Sequence, residues 1–282
     1  MPSSIPSSTQ RLWRRLLRNA AGLGRLRVLD CITDGSCHET IGTGAGGDIT
    51  KQFDAIAEQT MVEYVARFAS FTLMSEETGV TQVGNNPEGF LIMDPIDGST
   101  NVNHNIRFAC IAIAYASELV FDEVEVAVVM DLFSGKSYHA IKGCGAFCDQ
   151  TRISSTGTSS SEIQLVGVDA VYPPESLERF SKETGEKTIQ YTRHFGANAL
   201  EMCFVADGSL DGFIDLRGVF RGTDLAAVSL ILKEAGATLV NEKGAVINGP
   251  CTNEARYSYI AARNQQVANK LLKLTSMKKT EQ

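Results

Sequence analysis

Two aspartates three residues apart, Asp94 and Asp97, flank the stiff pair Pro95-Ile96 and are followed at once by Gly98-Ser99-Thr100-Asn101. Phe90 to Met93 is a short apolar run, the pattern of a buried strand. Proline fixes its own φ and has no N–H for a sheet ladder, so the strand is expected to end before Pro95. Carboxylates on either side of such a corner can converge on a hard divalent cation, which takes oxygen ligands. The amides and hydroxyls of Gly98, Ser99 and Thr100 can then receive an oxyanion. A plainer reading stays open on spacing alone: an Asp-Gly turn whose acids cap the next helix.

Three further acidic positions could serve the same corner. Glu76-Glu77 follow the strand-like run Phe71 to Met74. Asp54 falls in the first turn of a helix expected over 51–69, with Thr50 as N-cap and Phe53, Ala57, Met61 and Val65 on its apolar face. Asp224 opens a small-residue helix expected over 223–235. Each has an ordinary alternative: a solvated strand end for the glutamates, and dipole complementarity in a first helical turn for the aspartates.

The elements that must position these groups divide into two patterns. Over 1–150, a long helix is followed by strand-like runs at 71–74, 90–93, 108–116 and 123–131 and a hairpin at 136–148, a helix-flanked antiparallel sheet. Residues 80–88 are expected to form a polar surface loop, and the Ser/Thr/Gly-rich stretch 151–162 a connection. Over 151–282, strands (163–168, 190–195, 210–215) alternate with helices (174–183, 197–206, 223–235), as in a layered α/β domain. The tail from 265 begins helical and turns basic. At the other end, 1–9 is Pro/Ser-rich and expected to be disordered. Residues 11–28 carry six arginines and no acid. They form either an amphipathic targeting segment or, the favoured reading, a first helix with Leu12, Trp13, Leu16 and Leu17 packed inward.

Composition narrows the classes of function. The 282 residues are 43% hydrophobic with a net charge of −7, which argues against non-specific nucleic-acid binding. No apolar run approaches the roughly 20 residues of a membrane span. The seven cysteines are scattered without paired C-x-x-C spacing, the usage of reduced thiols in a cytoplasmic protein rather than of a zinc site. Gly42 to Gly47 is a flexible loop without the G-K-[ST] ending of a P-loop.

Asp94-Pro-Ile-Asp97-Gly-Ser-Thr-Asn101, together with Glu76-Glu77, Asp54 and Gly222-Thr223-Asp224-Leu-Ala-Ala-Val228, resembles the signatures of the inositol monophosphatase superfamily of Mg²⁺-dependent phosphatases. The resemblance covers roughly 48–240. It implies a five-layered αβαβα fold with the metal site between the two halves. By the same resemblance, Glu76, Asp94 and the Ile96 carbonyl would hold one Mg²⁺, and Asp94, Asp97 and Asp224 a second, of two or three ions in all. Glu77, Asp54 and Ser99 would position and deprotonate the attacking water. Asp97, Gly98, Ser99 and Thr100 would contact the substrate, the Gly98 and Ser99 amides meeting its phosphoryl oxygens.

Two departures stand out. Thr223 replaces the family's usual Trp, and Val102 replaces a frequent aromatic. Both are expected to alter packing more than ligation. Arg193 and Asn198, where a strand gives way to a helix, could meet an anion, and Arg217 suits a second phosphate; the plain alternative is that each arginine is a surface ion-pair partner. The expected activity is hydrolysis of fructose 1,6-bisphosphate or inositol monophosphate by a homodimer, with small phosphorylated substrates as partners and no nucleic acid or membrane. An adenosine 3′,5′-bisphosphate or NADP(H) phosphatase is the alternative within the superfamily. A catalytically weak binding or scaffold protein is the alternative outside enzymes.

Overall fold

The computed structural model describes residues 5–35, 40–45, 47, 49–156, 162–169 and 189–276. The helix expected over 174–183, Cys37 and the basic end of the tail lie outside them. The chain opens with α1, Ser8–Asp34. Ser7 caps it: its hydroxyl accepts from the Gln10 amide while the Gln10 side chain accepts in return from the Ser7 amide. Ser8 and Thr9 are therefore helical rather than disordered. Trp13, Leu16, Leu17, Ala20, Ala21, Gly24 and Val28 recur at helical spacing and are buried. Of the arginines in the same segment, Arg11, Arg15 and Arg27 are exposed and Arg14, Arg18 and Arg25 half-buried.

A short hairpin, β1 (Thr40–Thr43) and β2 (Ile49–Lys51), leads into α2 (Gln52–Ala66), whose N-cap is Lys51 rather than Thr50. Next come β3 (Phe71–Ser75), β4 (Gly79–Val83), β5 (Phe90–Asp97), the single turn α3 (Ser99–Asn103), β6 (Cys110–Ala116), β7 (Val124–Asp131), β8 (Ser137–Ile141), β9 (Gly145–Cys148) and β10 (Thr151–Ile153). These strands form an eight-stranded sheet in the order β10-β9-β8-β7-β6-β5-β3-β4. Two expectations fail here. Residues 80–83 are strand, not loop, because Glu76-Glu77-Thr78 closes a tight antiparallel hairpin. Residues 151–153 likewise add an edge strand to β9 instead of leaving the sheet.

The second half builds a five-stranded sheet from β11 (Ile163–Asp169), β12 (Ile189–Arg193), β13 (Gly212–Arg221), β14 (Thr238–Val240) and β15 (Arg256–Ala262), in the order β12-β11-β13-β15-β14. Its helices are α4 (Asn198–Ala206), α5 (Gly222–Ala235) and α6 (Gln265–Ser276). β11 pairs in parallel with β12 and β13, but β15 runs antiparallel to β13 and β14, so the sheet is mixed.

Strand alternation sets the layers. Along β6, Ile111, Ile113 and Tyr115 face the core under α1 and α2, while Cys110, Ala112, Ala114 and Ala116 face the core shared with α4 and α5. Along β13, Phe213 joins that same central core and Ile214 packs toward α6. The order is helices, sheet, helices, sheet, helix: a five-layered mixed α/β fold. The alanine faces of β6 and of α5 (Ala226, Ala227) bring helix and sheet close, and a larger side chain there would overpack the core at about 1–3 kcal/mol. Among the described residues six cysteines are free thiols, and no helix is long and apolar enough to cross a membrane.

Candidate active site

β5 delivers the first acids, and it runs through Pro95 to Asp97. Its pairing with β6 shifts register between Asp94 and Asp97, so the proline falls where the ladder needs no N–H. The Ile96 amide donates to Asp94 Oδ1 at 3.0 Å, which fixes that carboxylate at the corner. Gly98 then turns with φ 93°, and a Cβ there would press within 3.1–3.2 Å of Ala197 and of the Phe108 and Gly196 carbonyls. Only glycine fits. Asn101, one turn on, donates to the Phe108 and Phe195 carbonyls at 2.9 and 2.6 Å. The loop after β5 is thereby tied to the loop before α4, across the two halves of the chain.

Glu76 sits on the β3–β4 turn and Asp224 in the first turn of α5. With Asp94 they bring one carboxylate oxygen each within 4.8 Å of one another. Asp94 and Asp224 are buried. Burial, then the charges of Glu76 and Asp224, push Asp94 well above the usual carboxylate range. Burial also raises Asp224, opposed by Arg221 and by the Thr223 hydroxyl, which donates to Asp224 Oδ1 at 2.9 Å. The donor set is all oxygen and strongly self-repelling. It fits a hard divalent cation better than a soft one.

Asp97 lines the same cavity but aims elsewhere. Its Oδ2 accepts from the Ala199 amide at 2.7 Å, at the N-terminus of α4, and loss of water around it raises its pKa to about 7. Asp54, buried at the start of α2, accepts from the Lys51 amide. Burial and then Glu77 lift it to about 8. Ile96, Gly98, Ser99 and Thr100 border the cavity, whose volume is about 510 Å³.

On the far wall the arrangement differs from expectation. Asn198 and Arg217 line the cavity, but Arg217 is already engaged. It donates to Asp169 at 2.5 Å and to both oxygens of Asp215 at 2.7 and 3.0 Å. Its charge is more than matched by these two acids, so it is not an open phosphate receptor. Asn198 donates to Asp215 and to the Tyr259 hydroxyl. Arg193 stays outside: it is exposed on β12 and bonds the neighbouring Thr192 carbonyl. Its guanidinium lies by the Tyr191 ring, 6.0 Å from the ring centroid.

Several residues escaped sequence reasoning. Arg221 Nη1 lies 2.8 Å from Glu76 and 3.6 Å from Asp224, a counter-charge among the acids. Arg256 also lines the cavity. Glu201, fully buried, accepts from the Phe195 and Gly196 amides at 3.1 Å each and so holds the loop that Asn101 grips from the other side. Asn253 donates to the Ser75 carbonyl beneath the glutamate turn. Only the Arg221–Asp224 spacing of three residues, a first-turn pair, carried a local signal. Thr223 corrects an expectation: its departure from the family pattern touches the carboxylate directly.

The sequence model of the Inositol monophosphatase family matches residues 20–279, and the chain belongs to that family. It is thus a member of a class of phosphoric monoester hydrolases. A fructose-1,6-bisphosphatase/inositol-1-monophosphatase of Methanothermobacter thermautotrophicus is 35% identical over 83% of this chain and 86% of its own length. A bifunctional NADP phosphatase/NAD kinase of Methanococcus maripaludis is 32% identical over 83% of this chain, which spans 44% of that protein. Among solved structures, an inositol monophosphatase–fructose 1,6-bisphosphatase superposes with a TM-score of 0.79 at 27% identity, over 93% of this chain and 99% of that one.

Proposed function

We propose that the protein is a Mg²⁺-dependent phosphatase of small sugar or cyclitol phosphates. The observation that carries this reading is the convergence of Glu76, Asp94 and Asp224 beside the Gly98-Ser99-Thr100 corner, within a cavity sized for a polyol phosphate. Glu76, Asp94, Asp224 and the Ile96 carbonyl would hold Mg²⁺, with Asp97 toward a second or third ion. When bound, the metal polarises phosphoryl oxygens and lowers the pKa of water.

The chain's own residues then divide the work. Asp54 and Glu77 form a neighbouring acid pair able to take up and hold the proton of an attacking water. Ser99 offers a hydroxyl to orient it. The Gly98 and Ser99 amides, on a turn locked by Asn101, receive the phosphoryl group. Asp169, Asp215, Arg217 and Asn198 form a mutually bonded polar wall suited to the hydroxyls of a sugar or cyclitol ring. A bisphosphate would have to draw Arg217 away from one of its acids. Arg193 has no role in this account.

The similarity to NADP phosphatases favours a second reading, a nucleotide substrate. Against it, Phe220 is the one aromatic among the described cavity residues, and it is 7% exposed. We read 1–150 and 151–282 as two domains that share the site, in a cytoplasmic homodimer, the commonest symmetric assembly. Mass by light scattering tests the assembly.

The deciding measurement is phosphate release, with and without Mg²⁺, from inositol 1-phosphate, fructose 1,6-bisphosphate, adenosine 3′,5′-bisphosphate and NADP. Mg²⁺-dependent turnover of the first two is expected. Turnover of a nucleotide alone would replace the substrate. No turnover on all four, with Mg²⁺ bound, would reduce the protein to a binding role.

A further inference from the structure

The arginines of α1 are left unexplained by the phosphatase site. Arg11, Arg14, Arg15 and Arg18 line a second cavity of about 650 Å³, between α1 and the β7–β8 hairpin, which shares no residue with the acidic one. Among its described lining residues the one acid is Asp149, whose carboxylate already accepts from the Ser137 amide. The side chains of Arg14, Arg15 and Arg18 make no hydrogen bond or ion pair among the described residues, and that of Arg11 bonds only the Pro6 carbonyl. A chain of net charge −7 thus gathers four guanidinium groups in one groove with one lining carboxylate beside them.

An independent observation lies on the groove's floor. Ser137 lines it, is 2% exposed, and its hydroxyl has no hydrogen-bond partner. A buried hydroxyl left unpaired is destabilising unless something completes it. His139, two residues along the same strand, is buried with Nδ1 equally unpartnered, and Arg14 and Arg18 bear on it electrostatically. The floor therefore offers an orphaned donor beneath an array of cations.

We propose that this groove binds a small polyanion carrying two or more linked phosphate groups. The spacing sets the number. Arg11 with Arg15, and Arg14 with Arg18, are i,i+4 pairs, each about 6 Å apart along the helix. Each pair can grip one phosphate, since guanidinium binds phosphate oxygens in bidentate fashion. The Ser137 hydroxyl reaches a phosphate oxygen from below. The volume falls in the range of small-molecule sites.

The test is calorimetric titration of the full chain in EDTA, so that metal-dependent binding at the acidic cavity is silent. ADP and inorganic pyrophosphate are the probes. One-site binding is expected, weakening with salt. Arg14→Ala/Arg18→Ala should lower affinity at least tenfold, and Ser137→Ala several-fold. Ser137→Ala should leave the Tm of the free protein unchanged or raised, because it removes an unsatisfied group; this separates lost binding from lost fold. Arg14→Lys/Arg18→Lys should retain part of the affinity. ADP binding tighter than pyrophosphate assigns a nucleotide ligand, and equal binding assigns the phosphate chain itself. The proposal is overturned by no binding up to about 1 mM, a free energy near −4 kcal/mol. Equal affinity in the arginine variant overturns it too, as does loss of binding in Asp94→Asn with none in the arginine variant.

Discussion

Two polar cavities of opposite sign lie among the described residues. In the first, Glu76, Asp94 and Asp224 crowd one another, and Arg221 partly compensates them from within the cluster. In the second, arginines crowd one another over Ser137 with a single committed aspartate nearby. Both follow one rule: a fold that assembles like charges, and leaves them under-compensated, stores repulsion that a ligand of the other sign relieves. They differ in how they are built. The acidic cavity draws its groups from turns and helix starts of both halves. The basic one draws its cations from one face of one helix.

The largest test removes the repulsion. Asp94→Asn should cut turnover by about a thousand-fold, roughly 4 kcal/mol of lost metal-assisted stabilisation. It should also raise the Tm in EDTA, because Glu76 and Asp224 lose a like-charged neighbour. Activity and stability then move in opposite directions. If both fell together, Asp94 would be holding structure rather than a cation.

The second test works beside the basic groove. Burial, then Arg18 and Arg14, lower His139 from 6.5 to about 4. Between those pH values the unfolded chain binds a proton that the folded chain refuses. The neutral histidine's contribution is therefore intact above about pH 6.5 and lost as pH falls toward 4. The loss is bounded at about 3 kcal/mol. His139→Phe, stacked on Phe147 as the imidazole is, should flatten the fall in Tm between pH 7 and 4 relative to the parent protein. An unchanged slope would mean that this acid sensitivity comes from the carboxylates instead.

How far these features were legible depends on their sequence range. Asp94, Asp97, Glu76-Glu77 and Asp224 each lie where a strand or helix begins or ends, and local pattern finds such points. The five layers were implied by the resemblance of the acidic motifs; in the structure, alternation in β6 and helical spacing in α1 produce them. β14 and β15 went unread: β14 has only three residues, and the partners of β15 lie far back along the chain. The Asp169–Arg217 pair spans 48 residues and joins two strands, so no spacing rule reaches it. Asp215, two residues from Arg217, was visible, but not that β13 shifts register just beyond it and turns both onto one wall. The arginines of α1 were plain in the sequence. So were the strand and hairpin over 123–148, but not that they lie beside α1 and make a groove of its arginines.

A third test asks whether the acidic cavity depends on both halves. Gly98→Ala forces a Cβ against Ala197 and two carbonyls at a φ of 93°. A loss of about 1–3 kcal/mol in stability is expected, with turnover falling more than Mg²⁺ affinity. Denaturant melts would decide it. A variant as stable as the parent would mean that the loops joined by Asn101 can part without cost.

The smallest effect probes compensation within the acidic cluster. Thr223→Val keeps the shape of a buried side chain and removes the hydroxyl that bonds Asp224 Oδ1. That bond favours the charged carboxylate, so its loss should raise the pKa of Asp224 further. Mg²⁺ must then compete harder with a proton for the site. The concentration of Mg²⁺ giving half-maximal activity should rise about tenfold at neutral pH, the scale typical of a partner that orients a metal ligand. Because the competitor is a proton, the penalty should shrink as pH rises, while kcat at saturating Mg²⁺ changes little. A pH-independent penalty would show instead that the hydroxyl sets the direction of the carboxylate rather than its charge.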